Sequence, residues 1–156
     1  MKSVDFLKLL KKQEKLSLVE PSDIVSKSYV EKAESNLESA KILIENNKLE
    51  ESVSLAYYSM YHLLTSLLLK VGIKCENHTG SIMILKEIFN IDNKYILSAK
   101  KERVDKQYYV DFHITKEEIK EMIEEAEKFN KKIYDFIQKL QSKNIKDYRE
   151  KYTKII

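Results

Sequence analysis

The stretch from Leu49 to Gly72, LEESVSLAYYSMYHLLTSLLLKVG, constrains the fold of this chain more than any other. Val53, Ala56, Tyr57, Met60, Leu64, Leu67 and Val71 recur at intervals of three and four, which lays one continuous apolar stripe along an α-helix. Leu55, Tyr58, Thr65, Leu68 and Leu69 fall on the other side, so the helix is apolar or aromatic nearly all round and needs neighbours on several sides. It reads as the central helix. Ser52, Ser54, Ser59, His62 and Ser66 interrupt it, and its longest clean apolar run is far below about 18 residues, so it does not read as a membrane span.

What surrounds this helix follows from what the chain lacks. With 2 Gly and 1 Pro among 156 residues there is little material for hairpin turns, and 34% charged residues, mostly Lys and Glu, suit long solvated helices. The expected class is all-α. A hydrophobic share of 43% at this length supports one domain with a real core. The net charge of +3 arises from 28 basic and 25 acidic residues that are intermingled, so any nucleic-acid site has to be local. The single Cys75 excludes an internal disulfide, leaves an intermolecular one open, and suits a reducing cytoplasm. The first 16 residues lack a long apolar segment and a small-residue cleavage site, so they do not read as a signal peptide.

Along the chain, residues 3–16 predict a short amphipathic helix with a basic outer face, packed on the bundle it precedes. Pro21 and Ser22 punctuate, and Ser22 is placed to cap a second helix running to about Asn46 with Val30, Ala33, Leu37, Ala40 and Ile44 on one stripe. The short Asn46-Asn47 link makes that helix antiparallel to the central one. Gly72 caps the central helix; IKCENHTG is expected as a loop, and residues 81–89 as a short helix. From Lys94 a helical pattern resumes with Ile96, Ala99 and Arg103 on one stripe, and VDFH breaks it. Thr115 and Glu118 form a capping box, after which Ile119, Met122, Ala126, Phe129, Ile133, Phe136 and Leu140 keep heptad spacing. That spacing also suits packing between chains, hence a homodimer. The expected architecture is an up-and-down bundle of four main helices plus a short extra one. The domain spans 1–141 with its core at about 22–141, and 142–156 forms a polar tail, a short helix or a partner contact.

The three histidines, His62, His78 and His113, show no metal-ligand spacing, and no Walker loop, nucleophile elbow or dinucleotide fingerprint is present. No metal and no cofactor are called for. His62 reads as a hydrogen-bonded, partly buried residue, whereas His78 either braces its loop or faces a ligand. Arg103 stands out because a guanidinium on an apolar stripe is costly to bury unless it is paired. It either meets a carboxylate inside the bundle or reaches a phosphate. Tyr108 lies about 140° round a straight helix from it, at about 100° per residue, so the two converge only if the helix ends or kinks.

These residues form a known constellation. AYYSMYHLLTSLLLKVGIKCENHTGSI, then ERVDKQYYVDF and ITKEEIKEMIEEAEKF, resemble the HEPN superfamily, in particular its small stand-alone prokaryotic members, over roughly Ser28 to Ile137. The resemblance implies a helical bundle that dimerises with Arg-bearing helices facing across a two-fold, paired as a toxin with a small nucleotidyltransferase. It also implies metal-independent endoribonuclease chemistry from an Arg followed four to six residues later by His. There the Arg holds the scissile phosphate and the His moves a proton. Arg103 matches the first element. The second does not match: Gln107, Tyr108 and Tyr109 occupy the positions in question, and His113 is ten residues on.

A tyrosine with a pKa near 10 is a poor general base at neutral pH, where such help is worth roughly 10²–10⁴ in rate. Two functional readings therefore stand beside that of a purely structural helical bundle. In the first, Arg103, with Tyr108 as candidate catalytic partner and His78 as a phosphate or nucleotide contact, binds and cleaves RNA. In the second, the same groove holds a nucleotide or a partner's helix and no bond is broken. Relatives modified with AMP on a tyrosine beyond the His make Tyr108 and Tyr109 candidate modification sites.

Overall fold

The central position expected for Leu49–Gly72 is what the chain adopts. The computed structural model describes residues 1–108 and 113–156, and the side chains of these except at 104–108. Among the described residues there are α1 (Ser3–Lys12), β1 (Leu16–Leu18), α2 (Asp23–Glu45), α3 (Leu49–Val71), β2 (Ile73–Cys75), α4 (His78–Glu87), α5 (Lys94–Tyr108), α6 (Lys116–Lys139) and α7 (Ser142–Ile155). All seven residues of the main α3 stripe are buried, and α3 packs against α2, α4, α5, α6 and α7. The fold is all-α apart from the short pair of strands. No helix among the described residues is long and apolar enough to cross a membrane.

The serines of α3 have a role the periodicity did not expose. Ser52 Oγ donates to the Ala40 carbonyl at 2.8 Å, Ser59 Oγ to that of Ala33 at 2.7 Å, and Ser66 Oγ to that of Ser26 at 2.8 Å. Each seven-residue step up α3 meets a seven-residue step down α2, so the helices are antiparallel as expected. Small side chains at Ser26, Ala33 and Ala40 let the backbones approach closely. The buried hydroxyls thereby satisfy themselves across the seam instead of being stranded in an apolar core.

Several boundaries differ from the sequence expectation. The first helix stops at Lys12, and Glu14 takes a positive φ of 59° before Leu16–Leu18 pairs antiparallel with Ile73–Cys75, Leu16 opposite Cys75 and Leu18 opposite Ile73. The segment expected as a loop thus holds a strand and the start of α4. Asn77 is the N-cap of α4, its side chain accepting from the Gly80 N–H at 2.8 Å, so His78 is the first residue of a helix rather than part of a loop. The Ser22 and Thr115 caps form as expected. In α6 the buried stripe runs Ile119, Met122, Ala126, Phe129, Ile133 and then Ile137, with Phe136 only half-buried. A straight helix of 3.6 residues per turn drifts off a strict heptad. Most of these side chains belong to the chain's own core, with Phe136 and Leu140 packed half-buried against it.

The C-terminal helix α7 is packed into the fold. Tyr152 is buried, Tyr148 lies 4.8 Å from the Phe89 ring, and one Arg149 guanidinium nitrogen donates to the carbonyls of Val19, Val71 and Gly72. Those last two are carbonyls at the C-terminus of α3, which a helix end leaves without intrahelical partners. Gly72 adopts φ 82°, and a Cβ there would collide with that guanidinium and with the Val19 carbonyl oxygen.

Candidate functional site

Helical spacing puts Tyr57, Tyr58, Tyr61 and His62 on neighbouring faces of α3, and α4 and α5 close over them. The Arg103 guanidinium carbon lies 4.9 Å from the Tyr58 ring centre and 5.5 Å from that of Tyr57. This is a pair of cation–π contacts. The carboxylate partner that was one alternative for Arg103 is not found among the described residues. Its charge therefore rests on aromatic faces, half-buried, with no neutralising carboxylate among the described residues.

His78 enters from the amino end of α4. Its ring stacks on Tyr61 with centres 3.8 Å apart and planes 14° from parallel, and its Nδ1 is 2.8 Å from the Tyr57 hydroxyl. Burial, with Tyr61 beside it, pushes the fully buried Tyr57 phenol above its ordinary range. Burial, reinforced by Arg103 and Lys100, pushes the His78 imidazole below its own. A single hydrogen bond joins the Tyr57 hydroxyl to Nδ1, its direction set by the imidazole tautomer. Arg103 and His78, from different helices, are thus tied to the same tyrosine.

On the other flank His62 stacks on Tyr58 with centres 5.8 Å apart, and the Asn36 amide meets its Nδ1 at 2.9 Å. That is the hydrogen-bonded, partly buried role expected of it. Burial, with Lys32 and His78 adding to it, lowers its pKa to about 4. Behind it a groove of about 330 Å³ opens between α2, α3 and β2, lined among others by Tyr29, Lys32, Tyr61, His62 and Thr65. The Tyr108 side chain and Tyr109 lie outside what is described, so neither of those candidates is placed against Arg103. His113 is exposed. Among the described residues no three His, Cys, Asp or Glu side chains cluster as metal ligands.

Sequence reading identifies Arg103 and His78 separately. It missed Lys100, Lys32, Tyr29 and Asn36. The i, i+3 spacing of Lys100 with Arg103 on α5 was the available signal for the first.

The sequence profile of the HEPN domain matches residues 26–140, most of this small all-helical fold. The chain belongs to the HEPN domain family. Among its relatives, "Putative toxin MJ0605" of Methanocaldococcus jannaschii is 33% identical over 109 residues, covering 65% of this chain and 81% of that protein. "UPF0332 protein PH1297" of Pyrococcus horikoshii is 46% identical over 54 residues, 35% of this chain and 38% of that relative's own length.

Proposed function

We propose that this chain is a cytoplasmic, toxin-like RNA-binding protein that works as a homodimer and is paired with a small nucleotidyltransferase. In this reading Arg103 holds an RNA phosphate, and His78 supplies the proton transfer of a metal-independent endoribonuclease. The observation that carries it is the Arg103 guanidinium held over Tyr57 and Tyr58 with no carboxylate partner among the described residues, beside a histidine bonded to the same tyrosine. A fixed, half-buried guanidinium with no carboxylate partner among the described residues is the group that a phosphate oxygen would satisfy. Lys100 close by and the amino end of α4 at His78 add positive potential. The name of the M. jannaschii relative supports the toxin assignment. Family resemblance supports the dimer, the nucleotidyltransferase partner, and modification at Tyr108 or Tyr109.

The second reading, binding without cleavage, draws on one observation. His78 Nδ1 is already engaged by Tyr57, which leaves only Nε2 of the ring for a substrate. RNA incubated with the purified chain, Arg103→Ala and His78→Gln decides between them. The nuclease reading expects cleavage without added metal, reduced at least about a hundredfold in either variant. Tight RNA binding with no cleavage sinks the nuclease and leaves the binding module. Light scattering at micromolar concentration tests the dimer, and a monomer there contradicts an inter-subunit site.

A further inference from the structure

Helix α4 carries His78 on its first turn, and much of what holds α4 comes from the two ends of the chain. The elements α1, β1 and α7 lie outside residues 26–140, yet α4 packs against α1 as well as against α3 and β2. At its amino end Gly80 sits under the buried Leu10 of α1. A Cβ at Gly80 would collide with Leu10 Cδ1 and come within 3.2 Å of Cys75 Sγ. Asn77, the residue before His78, is fixed twice. Its side chain accepts from the Gly80 N–H at 2.8 Å, and its carbonyl accepts from the Cys75 thiol at 3.4 Å. Cys75 is paired with Leu16, and the Glu76 N–H donates to the Lys15 carbonyl at 2.8 Å, so the chain enters α4 tethered to the segment that follows α1.

At the other end α7 takes over. Lys151 Nζ donates to the Ile88 carbonyl at 2.9 Å, just past the last turn of α4, and the Tyr148 ring lies 4.8 Å from that of Phe89. Carbonyls at a helix C-terminus lack intrahelical partners, and an ammonium there also meets the negative end of the dipole. The two terminal segments touch each other, with the Lys11 ammonium 5.7 Å from the Tyr152 ring centre. They grip α4 at both ends. The His78 hydrogen bond to Tyr57 at 2.8 Å is lost if α4 slides by about 1 Å, and a misplacement of that size can cost about a hundredfold in a catalysed rate.

We infer that α1 and α7 form a clasp that sets the position of α4, with Leu10 and Lys151 as positioning residues for His78. Its bearing on catalysis rests on the reading of His78 as the proton-transfer group; the placement rests on the packing.

The His78 imidazole is titrated by NMR in the full chain and in Leu10→Ala, Leu10→Met, Lys151→Met and, as a control, Ile133→Ala, which opens a cavity in α6 instead. Each is checked for helical content and Tm. Lys151 is exposed, so its variant keeps the test open if Leu10→Ala misfolds. Burial, with Arg103 and Lys100, holds the His78 pKa below its ordinary value of 6.5. Loosening α4 is expected to raise it, by about 0.5 or more in Leu10→Ala and by less in Lys151→Met. Leu10→Met, which keeps the volume, and Ile133→Ala stay at the parent value even where Tm falls. An unmoved titration in both Leu10→Ala and Lys151→Met, or an equal rise in Ile133→Ala, overturns the clasp. With RNA, the His78 reading adds a fall in kcat of about tenfold or more in Leu10→Ala, at a KM within about twofold of the parent. A moved titration with an unchanged kcat, or with no cleavage by the parent, keeps the clasp and overturns His78 as the proton-transfer group.

Discussion

Arginine 103 shows how a single side chain can be costly to its fold and still be held in place. Two tyrosine faces supply attraction worth about 0.5–2 kcal/mol depending on solvation, and they do so without cancelling the charge. Tyr58→Leu removes one face. RNA affinity measured by fluorescence anisotropy is expected to fall between about two- and thirtyfold, while Tyr58→Phe, which keeps the ring, stays near the parent. An equal loss in both variants would shift the role to the hydroxyl. The anomaly of an arginine on the Ile96–Ala99 stripe could be read from spacing alone. The pairing of His78 with Tyr57 could not, because it depends on α4 beginning at His78. The cue was Asn77, a good N-cap residue whose side chain accepts from Gly80, but a helix starting just after it competes with the turn-like Asn-His-Thr-Gly composition.

At the scale of elements, the serine seam between α2 and α3 is the most informative feature. Ser59 Oγ donates to the Ala33 carbonyl and also accepts from Asn130 Nδ2 on α6 at 2.9 Å, so it joins three helices. Ser59→Ala is expected to cost about 1–3 kcal/mol in urea unfolding, because it leaves the Asn130 amide donor without that partner; Ser52→Ala, which strands no second side chain, costs less. Equal effects would mean the Asn130 bond contributes nothing. Gly72→Ala is expected to lose about 1–3 kcal/mol from backbone strain alone, before the collision with Arg149 is counted, and Tm reports it. An unchanged Tm would contradict the left-handed cap. Helices as long as α2, α3 and α6 repeat their stripes often enough to be read. The strands cannot be, at three residues each, since one alternation in Leu16–Leu18 or Ile73–Cys75 carries no usable period. The charge of α7 leaves a polar tail, a short helix and a partner contact all open in the sequence; Tyr148, Arg149 and Tyr152 are what pack it as a helix.

For the whole molecule, half-buried His62 links the site to the stability of the fold. His62 titrates at about 4 in the folded chain against 6.5 when unfolded, so between those values the unfolded chain binds more protons. Its contribution is therefore fully present above about pH 6.5 and is lost as pH falls towards 4. Urea midpoints measured across this window should decline less steeply in His62→Gln than in the parent, and parallel profiles would show that His62 is not responsible. The central claim for the molecule is that RNA lies against the face formed by α3, α4 and α5. Photo-crosslinking with thiouridine-labelled RNA, mapped by mass spectrometry, tests it most directly. The account predicts adducts on the peptides carrying Tyr58 to His62 and His78, lost in Arg103→Ala. Adducts confined to the basic surface of α1 or α7, unchanged in that variant, would contradict it.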